Sequence, residues 1–405
     1  MRDLRIGVVG LGQRGEIAVH AHRPGAGSAV VACADPNLRA QTNAKALFGS
    51  GVRVCADHHD LIDDDLDAVM VLTPDHLHTQ PVLDLLQAGI AVFVEKPLAI
   101  STADCDRLLE SAMANRTRLY VGHNLRHAAT VRAMRDLITQ GAIGNVKAIW
   151  CRHFVGHGGD YYFKDWHAER RYTNSLLLQK GAHDLDVMHW LAGGFSRKVV
   201  ALGDLAVYGS NTDRRDRSDQ LMPDWFDPAI WPPAALTELN PVIDVEDINM
   251  MLARLDNNVL VSYQQCHFTP DYWRNYTVIG DQGRLENFGD LDGAVIKVWN
   301  QRRSGYRDDA DQLVHISPGE GSHGGADAAL VAEFLHFVAE GGPTETSPIA
   351  AREAVAAGSA ATTSLREGGR PVDIPAPDTE VATYFLHGQA QARTVHDPTA
   401  AQATR

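Results

Sequence analysis

The chain has 405 residues, more than one hydrophobic core of ordinary size holds, so two domains are expected. Hydrophobic residues make up 44% and charged residues 22%, and the net charge of −14 argues against a broad surface for nucleic acid or anionic membrane. No apolar run is long enough to span a bilayer, and the five cysteines (Cys33, Cys55, Cys105, Cys151, Cys266) form no C-x-x-C pair, so neither a disulfide framework nor a metal site is expected.

Short apolar strands alternate with helices over residues 1–125. Leu4–Val9 reads as a strand, beginning too early to leave room for a secretory signal, so a cytoplasmic setting is expected. Residues 16–22 read as a helix, Ser28–Ala34 as a strand, 68–72 and 91–94 as strands around a helix at 80–88, and 119–121 as a further strand. Such alternation marks a doubly wound parallel sheet.

The pattern changes after Gly144. Residues 146–153, 199–208, 247–255, 259–265, 276–279, 284–287 and 295–299 all read as strands. Asp256-Asn257-Asn258 and Asp281-Gln282-Gly283 suit tight turns between neighbours, so residues 126–375 are expected to form an α+β domain with a large, mostly antiparallel sheet. A helix over 176–191 would pack on one face. Residues 210–241, rich in Asp, Arg and Pro with Trp225, Phe226 and Trp231, read as an irregular functional loop or interface arm, and 376–405 as a peripheral tail.

Gly10-Leu11-Gly12-Gln13-Arg14-Gly15 matches G-x-G-x-x-G directly after the first strand. Gly10 permits the tight turn, Gly12 the approach of a pyrophosphate, and Gly15 close packing of helix on strand. Asp35, twenty residues after Gly15 at the end of the second strand, is placed to accept hydrogen bonds from ribose hydroxyls and to repel a 2′-phosphate, which favours NAD over NADP. Arg39, four residues on, weakens that preference without reversing it.

Further motifs follow in order: Thr73-Pro74-Asp75-His76-Leu77-His78, Glu95-Lys96-Pro97, Gly122-His123-Asn124, Gly141-Ala142-Ile143-Gly144, Lys180-Gly181-Ala182-His183-Asp184-Leu185-Asp186, and Gly321-Ser322-His323-Gly324-Gly325-Ala326-Asp327. Over residues 4 to 375 this set resembles the Gfo/Idh/MocA family (glucose–fructose oxidoreductase and inositol dehydrogenase). The resemblance implies that Gly10, Gly12, Gln13, Arg14, Gly15, Asp35, Thr73, Pro74, His78, Glu95 and Lys96 hold NAD, and that the Lys96–Pro97 bond is cis. It also implies catalytic roles: Lys96 binds the reacting hydroxyl, and His183 takes its proton, oriented by Asp186 at i+3. Many dehydrogenases of the family carry an aspartate four residues before that histidine. Gln179 stands there instead, and a glutamine binds a hydroxyl but cannot accept its proton. Lys180 beside it is a second catalytic candidate.

The segment from His153 to His167 mixes aromatic faces with imidazole, hydroxyl and carboxylate groups, which suits a carbohydrate. His123, Asn124, Tyr161, Tyr162, Trp166, His167, Gln179, Asp186 and His323 are the expected substrate contacts. Lys164, His167, Arg170 and Arg171 form a basic stretch that an anionic substrate group could meet, unless the interleaved Asp165 and Glu169 pair with it. Three functions stand open. The first is NAD-dependent oxidation of a secondary hydroxyl of a sugar, polyol or glycoside. The second is an NAD-dependent glycosidase cycling through oxidation, elimination, hydration and reduction, with a sulfonated sugar such as a sulfoquinovoside as a candidate substrate. The third is a non-catalytic NAD-binding regulator. Assembly as a homo-oligomer, dimer or tetramer, is expected.

Overall fold

The computed structural model describes residues 2–290, 293–317 and 322–389, without the side chains of Ser322 and His323. In the amino-terminal half, β1 (Leu4–Val9), β2 (Ser28–Ala34), β3 (Arg53–Cys55), β4 (Ala68–Val71), β5 (Ala91–Glu95) and β6 (Leu119–Gly122) form one parallel sheet in the order β3-β2-β1-β4-β5-β6. That order reverses between β1 and β4, so the crevice at their carboxyl ends is where an open α/β sheet binds ligands. Helices α1 (Leu38–Phe48), α2 (Thr79–Gln87) and α3 (Thr102–Asn115) connect the strands. The central strands β4 and β5 are buried on both faces, which is why they read as unbroken apolar runs.

The segment after the glycine-rich turn departs from expectation. Gln13–Ala21 winds as 3-10 turns, not as an α-helix. Gly12 at its start offers no side-chain cap, Gly15 lies within the first turn, and Ile17 and Val19 are β-branched, so little favours α-helical propagation there. The three-residue strand β3 is too short to show as a period in the sequence.

Helix α4 (Ala129–Thr139) leads into the second half, whose nine strands are β7 (Val146–Phe154), β8 (Ser196–Asp204), β9 (Ile248–Leu255), β10 (Leu260–Cys266), β11 (Trp273–Gly280), β12 (Arg284–Phe288), β13 (Val295–Trp299), β14 (Gln312–His315) and β15 (Val372–Asp373). Their order is β14-β13-β12-β11-β7-β10-β9-β8-β15, antiparallel throughout except for the parallel pair β7/β10. Strand β8 stops at Asp204, short of the expected 208. The Asp247 carboxylate accepts the amides of Ala206, Val207 and Tyr208 at 2.8, 2.8 and 2.9 Å and draws the chain out of the ladder.

Short helices α5 (Gly158–Tyr162) and α6 (Arg170–Thr173) precede the expected 176–191 helix, which divides into α7 (Leu176–Gln179) and α8 (Gly181–Ala192) at Lys180. Helix α8 and α10 (Pro348–Arg366) cover the inner face of the sheet, while α9 (Ala326–Glu340) packs Leu330, Phe334 and Phe337 against Phe93 and Tyr120 of the parallel sheet. The segment after Pro375 forms α11 (Thr379–Leu386), which buries Val381, and residues 390–405 of the expected tail lie outside the described residues. Gln389 then exchanges hydrogen bonds of 2.7 and 2.8 Å with the backbone of Leu119. The 210–241 arm carries two isolated 3-10 turns. Its Leu236 and Leu239 pack with Val155, Tyr162 and Phe163 beside the cleft.

Candidate active site

The carboxyl ends of β1, β4, β5 and β6 deliver the predicted motifs to one crevice. Gly10 has φ +91°, and a Cβ there would stand 2.8 Å from the backbone of Leu72 and Thr73, so only glycine fits. A Cβ on Gly12 would meet nothing within 4 Å, so the turn is open on the side where a pyrophosphate would approach. Asp35 accepts the amides of Leu11 and Asn37, both at 2.8 Å, which fixes its carboxylate at the end of β2 with lone pairs to spare for hydroxyls. The residues present therefore fit a dinucleotide.

Several predicted cofactor contacts are engaged with the protein itself. Arg14 binds Glu95 and Asp327, and Asp327 also takes the Asn124 amide at 2.8 Å. The second Glu95 oxygen accepts the Lys96 backbone amide at 2.7 Å. His78 is fully buried between the carbonyls of Pro97 and Thr73, at 2.8 and 2.9 Å, and staples those two loops together. Thr73 and Pro74 follow β4, and the Lys96–Pro97 bond is cis. Across the crevice, the Tyr161 hydroxyl donates to Gln13 Oε1 at 2.8 Å.

Lys96 reaches over the crevice to the Gln179 carbonyl, Nζ to O 3.4 Å. Burial lowers its ammonium below the usual lysine range, partly offset by Asp75 and Glu95. Burial, with Arg274 and Lys96 nearby, brings Lys180 down to about 7, and the Lys180 Nζ lies 5.9 Å from the Tyr162 ring centroid. His183 is buried, and its own desolvation together with Lys96 and Lys180 holds it well below the usual imidazole range.

Asp186 does not orient His183. Its carboxylate takes Arg126 through two bonds of 2.7 Å and lies 3.6 Å from His123 Nδ1. The i+3 spacing puts both side chains on adjoining helix surface, but a buried bidentate guanidinium outcompetes a weaker imidazole partner. Asp184, directly after His183, holds the helix instead. It accepts His153 Nδ1 at 2.8 Å, Tyr263 at 2.9 Å and Tyr276 at 2.5 Å, and pairs with Arg274 Nε at 3.1 Å. Burial opposes its ionisation, but Arg274 and His153 outweigh that and keep the carboxyl well below the usual range. These four partners come from β7, β10 and β11, where the register sets Tyr276, Cys151 and Tyr263 in one row and Arg274, His153 and Gln265 in the next.

The aromatic side chains of this segment pack on one another: Trp166 stacks on His167 at 3.7 Å, Tyr161 and Tyr162 lie 4.6 Å apart, and His167 binds Asp165. His76 packs 4.4 Å from Tyr172. The basic stretch is no anion site. Lys164 pairs with Asp160, His167 with Asp165, Arg170 with Glu246 and Arg171 with Glu169. The side chain of His323 lies outside the described residues. Along the crevice, Thr73 Oγ1, Asp75 Oδ2, His123 Nε2, Asn124 Oδ1, Gln179 Oε1 and His183 Nδ1 are buried with no hydrogen-bond partner among the described residues. Buried polar atoms are rarely left unpaired, and these are placed for a polar ligand or water to complete. Asp75 and Arg274 had not stood out as site residues in the sequence.

Residues 4–123 match the oxidoreductase family described as an NAD-binding Rossmann fold, and residues 135–374 match its C-terminal alpha/beta domain. The chain belongs to the Gfo/Idh/MocA oxidoreductase family. It is an enzyme, and its amino-terminal domain binds NAD. It is 34% identical to inositol 2-dehydrogenase of Klebsiella pneumoniae over 200 residues, 49% of this chain and 57% of that one. It is 30% identical to 2,7-anhydro-N-acetylneuraminate hydratase of Mediterraneibacter gnavus over 206 residues, 50% and 53% of the two chains. The matches thus span little more than half the length of these relatives. The fold is also that of levoglucosan dehydrogenase in complex with NADH and levoglucosan, with a TM-score of 0.73 at 20% identity, covering 92% of this chain and all of that one. Among the described residues no helix is long and apolar enough to cross a membrane.

Proposed function

We propose that this enzyme oxidises a secondary hydroxyl of a sugar, polyol or glycoside, with Lys96, Lys180 and His183 acting on that hydroxyl. The observation that carries it is the convergence of two half-buried lysines and a buried histidine on a crevice lined by unpaired polar atoms. NAD, when bound, supplies the acceptor for the hydride that leaves the carbon. The Lys96 ammonium, held beside the Gln179 carbonyl, stabilises negative charge growing on the substrate oxygen. Lys180, poised at about 7, is divided between amine and ammonium near neutral pH and is matched to accept the hydroxyl proton. His183, neutral in the same range, orients the hydroxyl by hydrogen bonding. This division of labour is supported by burial and by the neighbouring Lys96 ammonium, which make His183 a poor proton acceptor.

Two observations favour a second reading, a redox-neutral lyase or glycosidase. Gln179 replaces a carboxylate, and one relative is named a hydratase, an activity without net oxidation. Purified protein and NAD should therefore be incubated with a panel of polyols, sugars and aryl glycosides, following NADH and released aglycone together. NADH without aglycone is the expected result, and aglycone without NADH would establish the second reading. Neither product across the panel would contradict both readings for these substrate classes.

The sheet's outer face supports a homo-oligomer. Trp150, Leu202, Met250, Leu252 and Leu260 project from neighbouring strands and are about half exposed or more, an apolar patch interrupted by Ser262 that a second copy of the same sheet would cover. Light scattering is expected to show a dimer or tetramer, and Trp150→Glu with Leu252→Glu to shift it to monomer. A wild type that is monomeric at micromolar concentration contradicts this.

A further inference from the structure

The irregular arm over 210–241 meets the nucleotide-binding half through a charged clasp. Asp224 ends the turn Met222–Asp224, where its Oδ2 accepts the Leu221 amide at 3.0 Å. The same carboxylate takes both terminal nitrogens of Arg39, Nη1 to Oδ2 at 2.7 Å and Nη2 to Oδ1 at 3.0 Å. Arg39 lies in the first turn of α1, four residues after Asp35, and its backbone amide is fixed by the Asn37 cap at 2.9 Å. No other lysine or arginine lies between Asp35 and Lys45.

An arginine fork at the end of the second strand has the geometry and charge to hold a ribose 2′-phosphate. Here that fork is already filled, and the carboxylate filling it adds negative charge where the phosphate would have to come. An exposed ion pair contributes little on its own. Its effect on specificity is larger, because an incoming phosphate must displace one anion and approach another, Asp35. We propose that Asp224 is a specificity-determining residue for the cofactor: by occupying both terminal nitrogens of Arg39 it withholds that cation from a 2′-phosphate, so that the arm of the second domain acts with Asp35 to select NAD over NADP. The inference rests on the adenosine ribose lying at Asp35.

Calorimetric titration of NAD and of NADP into the full-length protein tests it, using wild type, Asp224→Ala, Asp224→Asn, Arg39→Ala and the Arg39→Ala/Asp224→Ala double variant. Asp224→Ala is expected to tighten NADP about tenfold relative to NAD, with Asp224→Asn intermediate. Removing Arg39 should abolish that gain in the double variant, and raising the salt should shrink it. An unchanged ratio of the two affinities in Asp224→Ala, or a gain that survives without Arg39, overturns the proposal. Wild type that binds NAD no better than NADP is a separate failure, one that refutes the placement of the ribose at Asp35.

Discussion

Lys96→Ala is expected to lose about a hundred- to thousandfold in turnover while NAD still binds, because the ammonium acts on charge that exists only as the hydroxyl is oxidised. Its Nζ is already directed across the crevice to the Gln179 carbonyl, so the positive charge is in place before substrate arrives. Wild-type turnover should rise with pH through about 7 as Lys180 loses its proton. The sign follows from the role: only the free amine accepts a proton, so the active form lies above that value. Lys180→Met should lose roughly 10²–10⁴-fold, together with that limb of the profile. His183→Ala should be milder and keep it. The Lys96→Ala/Lys180→Met pair should be little worse than its poorer member, since both groups serve one proton and one oxygen. Near-normal turnover of Lys96→Ala with NAD bound would mean that the hydroxyl is handled elsewhere.

Asp184→Ala is expected to destabilise the fold by about 3–5 kcal/mol, because it leaves the buried Arg274 without its inner carboxylate. It also strips acceptors from His153, Tyr263 and Tyr276. Helix α8 carries Lys180 at its start and His183 in its first turn, so activity should fall along with stability. The folded-state carboxyl is held below its unfolded value of about 3.9, so the stabilisation is complete above that pH and is lost as acidification proceeds through the folded value. Urea denaturation at neutral and acidic pH measures both effects. A loss under about 1 kcal/mol at neutral pH would show that the network holds nothing in place.

What the sequence made legible was local. The glycine turn, Asp35 and the strand ends are each set by a few consecutive residues, and the structure gathers them at the switch point between β1 and β4. What the sequence left hidden lies where distant partners decide. Asp186 shares a helix surface with His183, but Arg126, 60 residues away in sequence, claims it. Glu95 and Arg14 satisfy one another across 81 residues. Arg274 becomes a site residue only through the register of β11 on β7, which no periodicity within β11 reveals. Asp75 lay inside a quoted motif, yet its unpaired, buried oxygen shows only once the loops around it are placed.

The most direct test uses a substrate found in the panel, labelled with deuterium on the carbon that bears the reacting hydroxyl. After turnover with NAD, mass spectrometry of the recovered nicotinamide and sugar locates the label. Expected is deuterium on the NADH together with a slowed rate for the labelled sugar. Deuterium retained by the sugar, or washed into solvent, would contradict net hydride transfer to NAD in this crevice.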